Sequence, residues 1–396
     1  MRKFIEKLVE GGLLISGSIS SLAILLIIVF LFKEAGGLFN SPVVEEGYVL
    51  ALNKDNPVKH LSPEKIMDVF DAEITNWKEL GGKDEDILVF RFSDLTNYYP
   101  EEELGDEFQY VPDKISELVN KEPGIIAFFP QQYLAKDFQG TVISGDKITP
   151  ADFFAGTEWY PTSTPAPIFG LIPLLLGTLL VSIGAIIIAL PFGLAVAIYL
   201  AEIANIKTRS FLKPVIELLA GIPSVVYGFF GLVVIVPLIQ KTLDLPVGET
   251  AFAGSVVLAI MALPTIITVA EDAMRTTPRA MKEASLALGA TQWQTIYKVI
   301  IPYSISGITS AVVLGIGRAI GETMAVLMVT GNAAIIPTSF FEPVRTIPAT
   351  IAAELGEAPA GGAHYEALFL LGAVLFIITL VLSVTVEYIS SKRKIK

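Results

Sequence analysis

From Ile168 to Leu200 the chain runs for 33 residues without one Asp, Glu, Lys or Arg. A water-soluble fold has little use for such a stretch. In a bilayer, an α-helix of about 20 apolar residues crosses the hydrocarbon with its backbone groups bonded to one another. Five further runs are predominantly apolar, with at most two charged residues each: Gly11–Phe32, Leu212–Ile239, Ala251–Ala270, Ile305–Thr330 and Leu368–Tyr388. The expected fold class is an all-α polytopic membrane protein with six transmembrane helices. Pro191, Pro223, Pro237 and Pro264 interrupt the runs, which is tolerated where neighbouring helices or a cavity satisfy the freed carbonyls. Arg2, Lys3 and Lys7 precede the first run, as in a signal peptide. That run exceeds the roughly 7–15 apolar residues of a signal core, and no Ala-x-Ala-like site follows, so it reads as an uncleaved span.

Charge divides the chain. Of 40 acidic and 28 basic residues, 25 acidic and 11 basic lie between Lys33 and Pro165, leaving 15 acidic and 17 basic elsewhere. The net charge of -12 therefore belongs to one polar segment, and nothing in it suits a nucleic-acid partner. Six spans put both termini on one side. The segments on that side hold Arg2, Lys3, Lys7, Lys207, Arg209, Lys213, Arg275, Arg279, Lys282, Lys298, Lys392, Arg393, Lys394 and Lys396, whereas the short loops opposite hold only Lys241 and Arg345. The excess of Lys and Arg marks the cytoplasmic side, so the polar segment is extracytoplasmic and the 272–302 loop is cytoplasmic. The expected domains are a first transmembrane helix at 1–35, an insert at 36–165, and a core of five transmembrane helices at 166–396.

The insert has a mixed α/β pattern. Tyr48–Leu52, Ile87–Phe92 and Ile125–Phe129 suit short strands, and 113–121 suits a helix. Ser62-Pro63-Glu64 places an N-cap and a first-turn proline before Ile66, Met67 and Phe70, predicting a helix start. About 100 residues can bury a modest core. The chain has no cysteine, and its two histidines, His60 and His364, lie far apart in polar stretches. No metal site and no cofactor are expected.

Two segments carry the functional reading. The first is Glu283-Ala-Ser-Leu-Ala-Leu-Gly289 followed by Val-Ile-Ile-Pro302. Small residues let another protein approach closely, the glycine allows a turn, and the proline is expected to start the next segment. The second is Gly317-Arg318-Ala-Ile-Gly-Glu322-Thr323, inside the fifth apolar run. Charges at that depth are costly unless paired or facing a polar cavity. At i,i+4, Arg318 and Glu322 would share a helix face and neutralise one another. The pair is then either a structural clamp or a translocation element, with the planar fork of Arg318 meeting an oxyanion.

The spacing of Glu283–Pro302 resembles the EAA loop of binding-protein-dependent ABC importer permeases, which docks onto an ATPase; here Ser285 stands where that family favours Ala. Leu314-Gly-Ile-Gly-Arg-Ala-Ile-Gly-Glu-Thr-Met-Ala-Val326 is similar to the signature of phosphate ABC importer permeases of the PstC type. So are Phe154-Ala-Gly-Thr-Glu-Trp-Tyr-Pro161, Gly177-Thr178 and Ala197-Ile-Tyr-Leu-Ala-Glu202. The resemblance covers 145–396 well and 1–40 loosely. It implies the MetI-like fold, Arg318 and Glu322 as translocation residues, and ATPase docking through Glu283, Ala284, Ser285 and Gly289. It further implies a second, related permease subunit as heterodimer partner, two ATPase subunits and an extracytoplasmic phosphate-binding protein, all at the membrane lipid. The sequence has no Gly-x4-Gly-Lys-Ser/Thr, so ATP and Mg are expected on the partner ATPase, and this subunit is not itself an enzyme.

The insert departs from those permeases. Leu61–Phe70, Glu73–Gly81 and Glu122–Phe128 resemble one lobe of a phosphate-binding protein. Arg91, Ser93 and Thr96 stand where such a lobe holds its anion, but the loop lacks the glycine and carries Leu95. A structural or docking module is the reading this favours over phosphate sensing. Other oxyanions (sulfate, molybdate, tungstate) stay open as cargo. So do an ion-coupled transporter or channel and a membrane-anchored sensor as rival classes.

Overall fold

A computed structural model describes residues 2–45, 47–105, 107–143 and 147–393; Lys394 and Lys396, counted above among the inner charges, lie outside them. The chain forms two compact units. One comprises Met1–Leu171 with Ala358–Leu370, the other Ile172–Glu357 with Leu371–Lys396.

The first unit contains a four-stranded sheet of β1 (Tyr48–Leu52), β2 (Leu88–Arg91), β3 (Ile125–Pro130) and β4 (Thr141–Val142), in the order β2-β3-β1-β4. β3 runs parallel to β2 and antiparallel to β1. Its continuous apolar sequence follows from being covered on both faces. Ile125, Ala127 and Phe129 share a core with Ile115, Leu118 and Val119 of the Val111–Lys121 helix. On the opposite face Phe128 stacks on Tyr48 at 4.7 Å between ring centroids and meets Phe70 edge-on. The expected cap forms as read: Ser62 Oγ accepts from the Lys65 N–H, and Pro63 opens the Pro63–Phe70 helix. Asn53 closes another helix end, donating Nδ2 to the carbonyls of Val119, Asn120 and Glu122. β5 (Trp159–Tyr160) and β6 (Ile168–Phe169) form a separate hairpin. The long Arg2–Gly37 helix also belongs to this unit; past its end, Ser41 Oγ donates to Glu366 Oε2 at 2.8 Å.

Six helices among the described residues are long and apolar enough to cross a membrane: Glu10–Asn40, Ile172–Ile203, Ser224–Leu243, Ala251–Arg275, Gln292–Ile320 and Ala363–Thr385. Within the second unit Ala251–Arg275 is the axis. Its Val257, Leu258 and Met261 share a buried cluster with Val181 and Ala185, and its Ala259, Ala262 and Ile266 another with Ile186 and Ala189.

Two span boundaries differ from expectation. Leu212–Ile239 is not continuous: it breaks at Gly221–Pro223 into the helices Ile206–Ala220 and Ser224–Phe230. The residue before a proline is pushed out of the α region, which ends the first helix and lets Pro223 cap the second. The fifth span begins at Gln292 rather than near Ile305, and ends at Ile320 rather than Thr330. Pro302 does lie in the first turn of an α-helix, Ile301–Ile320, as expected, but that helix continues the span from a π-helical turn, Ile296–Ile300, directly before it. Proline cannot donate to, and clashes with, the carbonyl four residues back. Widening the turn there relieves both problems, and the same device, Gly231–Ile235, precedes Pro237.

Candidate functional site

The 272–302 loop folds as a helix-turn-helix. The first helix, Arg279–Ala287, ends at Gly289, whose φ of +84° is the left-handed conformation that glycine adopts without strain. The Gly289 N–H donates to the Leu286 carbonyl at 3.0 Å and the Ala290 N–H to that of Ser285 at 3.2 Å, a Schellman closure. Thr291 then caps the next helix, its Oγ1 accepting from the Gln294 N–H while Gln294 Oε1 accepts from the Thr291 N–H. Ser285 Oγ meets Thr295 Oγ1 at 3.0 Å across the turn. The structure brings the four predicted docking residues onto this one element: Glu283, Ala284 and Gly289 are exposed and Ser285 is half-buried. Beside them are residues the motif did not flag. Leu288 is 89% exposed, and Leu286, Trp293 and Tyr297 are exposed too, an apolar surface at the end of a membrane helix that suits a protein partner.

Arg318 and Glu322 are arranged otherwise than an i,i+4 pair. The helix stops at Ile320 with Gly321 as its cap, so the two side chains do not share a helix face. Arg318 reaches sideways, donating from Nη1 to Thr265 Oγ1 at 3.3 Å, next to Pro264 on the axial helix. Glu322 turns toward the following helix, Met324–Val329, where its Oε1 accepts from the Ala325 N–H. A carboxylate is favoured there because the first N–H groups of a helix have no internal acceptor. Both side chains are half-buried. Of the glycines around them, Gly315 packs tightly against Ile266, whereas Gly317 borders open space. A cavity of about 570 Å³ adjoins the break, lined by Gly321, Thr323, Pro348, Ile351 and Leu355 among others.

A third cluster escaped the sequence reading. Glu271 is 1% exposed, yet its carboxylate receives Arg209 Nη2 at 2.7 Å and Lys213 Nζ at 3.3 Å. Lys213 also bonds Asp272 Oδ1 at 3.1 Å. Burial alone would lower the pKa of Lys213, but its bonds to Asp272 and Glu271 prevail and raise it. The counting of inner charges by sign found the cations and missed their acceptor. Only the Glu271/Arg275 spacing hinted at it.

In the first unit, Arg91 and Ser93 line one cavity of about 370 Å³ with Tyr48, Phe92 and Phe128, and Thr96 lies outside that lining. Arg91 Nη2 donates to the Phe70 carbonyl at 2.9 Å, with the guanidinium 5.3 Å from the Phe70 ring centroid. Its donors are thus partly engaged by the protein.

A bundle that is apolar outside, holds a half-buried arginine within and shows exposed apolar side chains at one end is a multi-pass membrane protein. Its family is more specific. Residues 189–395 match the binding-protein-dependent transport system inner membrane component family, and the chain belongs to it. Its fold is that family's six-span permease architecture with a small strand-containing unit added. Residues 29–176 match the PBP superfamily domain. The chain is 40% identical over 260 residues to the probable ABC transporter permease protein YqgH of Bacillus subtilis, covering 66% of this chain and 83% of that protein. It is 38% identical over 255 residues to the phosphate transport system permease protein PstC of Mesorhizobium japonicum, covering 60% and 77%. Among solved structures, an inward-facing MetNI methionine ABC transporter chain overlaps with a TM-score of 0.45 at 19% identity, over 56% of this chain and 95% of that one.

Proposed function

We propose that this chain is the permease subunit of an ATP-driven ABC importer that moves inorganic phosphate across the cytoplasmic membrane. The observation that carries the reading is 38% identity over 255 residues to a phosphate transport system permease, in a chain of the permease family. Arg318 supplies planar, permanently charged donors of the kind that recognise an oxyanion. Glu322 sets where the helix beyond the Gly321 break begins, and so holds the segment next to Arg318. The Arg279–Ala287 helix, with Glu283, Ala284, Ser285 and Gly289, receives one of two ATPase subunits, which carry ATP and Mg. A second, related permease subunit completes the pathway as a heterodimer, and an extracytoplasmic binding protein delivers phosphate. Both termini are cytoplasmic and the acidic strand-containing unit is extracytoplasmic, as the Lys and Arg distribution supports. With Arg91 partly engaged by Phe70 and Thr96 away from the cavity, that unit acts as a docking or structural module.

Vesicles holding the full complex test the reading. Labelled phosphate should enter only when ATP is supplied on the cytoplasmic face, and excess sulfate or molybdate should not compete. Uptake by this chain without ATP sinks the importer; competition by molybdate changes the cargo.

A further inference from the structure

Glu202 ties the helix-turn-helix to the end of the second span. It lies in the π-helical turn Tyr199–Ile203 that ends the span, where the Ala204 N–H reaches back to the Tyr199 carbonyl at 2.7 Å. The Glu202 carboxylate receives Lys282 Nζ at 2.5 Å, and its carbonyl receives Gln292 Nε2 at 3.0 Å. Lys282 belongs to the first helix of the docking element and Gln292 to the second. One residue therefore holds both arms of the element to the end of the second span.

The contact is built to be stiff. The Glu202 and Lys282 side chains are 11% and 22% exposed, so water screens their attraction less than it would a surface pair. Beneath them Ala197 of the second span, Ala270 and Met274 of the axial helix, and Ile296 and Ile300 of the fifth span form one buried apolar cluster. A docking helix that moved could not leave the second span behind without breaking a shielded ion pair. The spans on either side are also π-helical at this level, Tyr199–Ile203 and Ile296–Ile300, and single π turns inside α-helices recur at functional sites. Leu288 and Trp293, by contrast, make up the exposed surface of the element and take no part in the clamp.

We infer that Glu202 is a positioning residue that transmits movement of the ATPase-docking element to the second span, through its ion pair with Lys282 and the bond from Gln292. The inference rests on the importer reading above. Its measure is phosphate moved per ATP hydrolysed, a ratio that a purely structural brace would leave unchanged.

The experiment uses the complete reconstituted complex, with uptake and hydrolysis read on the same vesicles. Glu202→Gln and Lys282→Met are each expected to yield assembled complexes that hydrolyse ATP while the transport ratio falls on the order of tenfold. The exchange Glu202→Lys with Lys282→Glu is expected to recover most of the ratio, because it restores the pair and not the individual residues. Single variants whose uptake and hydrolysis fall in proportion, or not at all, overturn the inference, as does an exchange that recovers nothing. The wild-type complex is measured first: ATP-independent uptake there removes the importer reading itself, a failure distinct from an unchanged ratio in the variants.

Discussion

The two units both bury apolar side chains but differ in what they expose and in the polar groups they bury. In the strand-containing unit the interior is Leu50, Phe90, Ile115 and Phe129, and the many carboxylates lie toward water. In the helical unit Ile187, Phe192 and Leu238 lie on the outside, while Thr178, Ser182, Ser255 and Glu271 are buried. Both arrangements obey one rule applied in two solvents. Water rewards removal of apolar surface, at about 25 cal/mol per Å². Lipid does not, so close packing and internal polar bonds must hold helices together. Ser255 shows the second regime: its Oγ lies 3.0 Å from the Val181 carbonyl on a neighbouring span and 2.8 Å from the Ala251 carbonyl of its own helix.

If the comparison is right, removing a charge inside the helical unit should cost most. Arg318→Gln keeps a polar side chain but shortens it and loses the permanent charge. Phosphate uptake by the assembled complex should fall roughly tenfold to a hundredfold, the range for losing a hydrogen bond to a charged group. Unchanged uptake would return Arg318 to a clamp between the fifth span and the axial helix.

Stability gives the next contrast. Glu271→Ala removes the buried acceptor of Arg209 and leaves Lys213 with Asp272 alone. The cost is up to about 3 kcal/mol, the lower end for breaking a buried pair, because both cations keep some access to water. The unfolding temperature of the purified chain in detergent should drop accordingly. Asp84→Asn removes an ion pair to Lys78 whose side chains are both 69% exposed, and it should leave unfolding where it was. Equal effects from the two substitutions would refute the claim that the units treat charge differently.

These cases also show what a sequence discloses. Strands β1, β2 and β3, the Ser62 cap and the Gly289 turn were legible because each depends on a few adjacent residues, whereas the two-residue strands β4, β5 and β6 left no such pattern. An apolar run flanked by turn formers, a hydroxyl before a proline and a glycine after a helix each have a local physical meaning. Arg318 and Glu322 were recognisable as unusual charges, but not as unpaired with one another. Their i,i+4 spacing presumes a helix that continues, and Gly321 ends it three residues after Arg318. Glu271 was the least legible. Its burial is decided by Arg209 and Lys213, about 60 residues earlier, and no periodicity records that meeting.

The smallest effect lies on the acidic face of the strand-containing unit, where it tests whether carboxylates there behave as water-side groups. The Glu158 side chain is exposed, yet its pKa is raised, first by partial desolvation and then by repulsion from Glu64, Asp68, Glu73 and Asp71. Its folded value therefore lies above its unfolded one. Between the two, the folded chain retains a proton that the unfolded chain has released, so acidification favours folding. Stability should rise as pH falls through the folded value and level off below the unfolded value. At pH 7 the ionised group is a net cost, so Glu158→Gln should raise the unfolding temperature of this unit slightly and flatten its acid dependence. Buried Trp77 and Trp159 lie in this unit, so their fluorescence provides a readout of its unfolding. A variant less stable than wild type at pH 7 would mean that Glu158 acts as a paired anion, as Glu271 does, and the contrast between the units would fail at that residue.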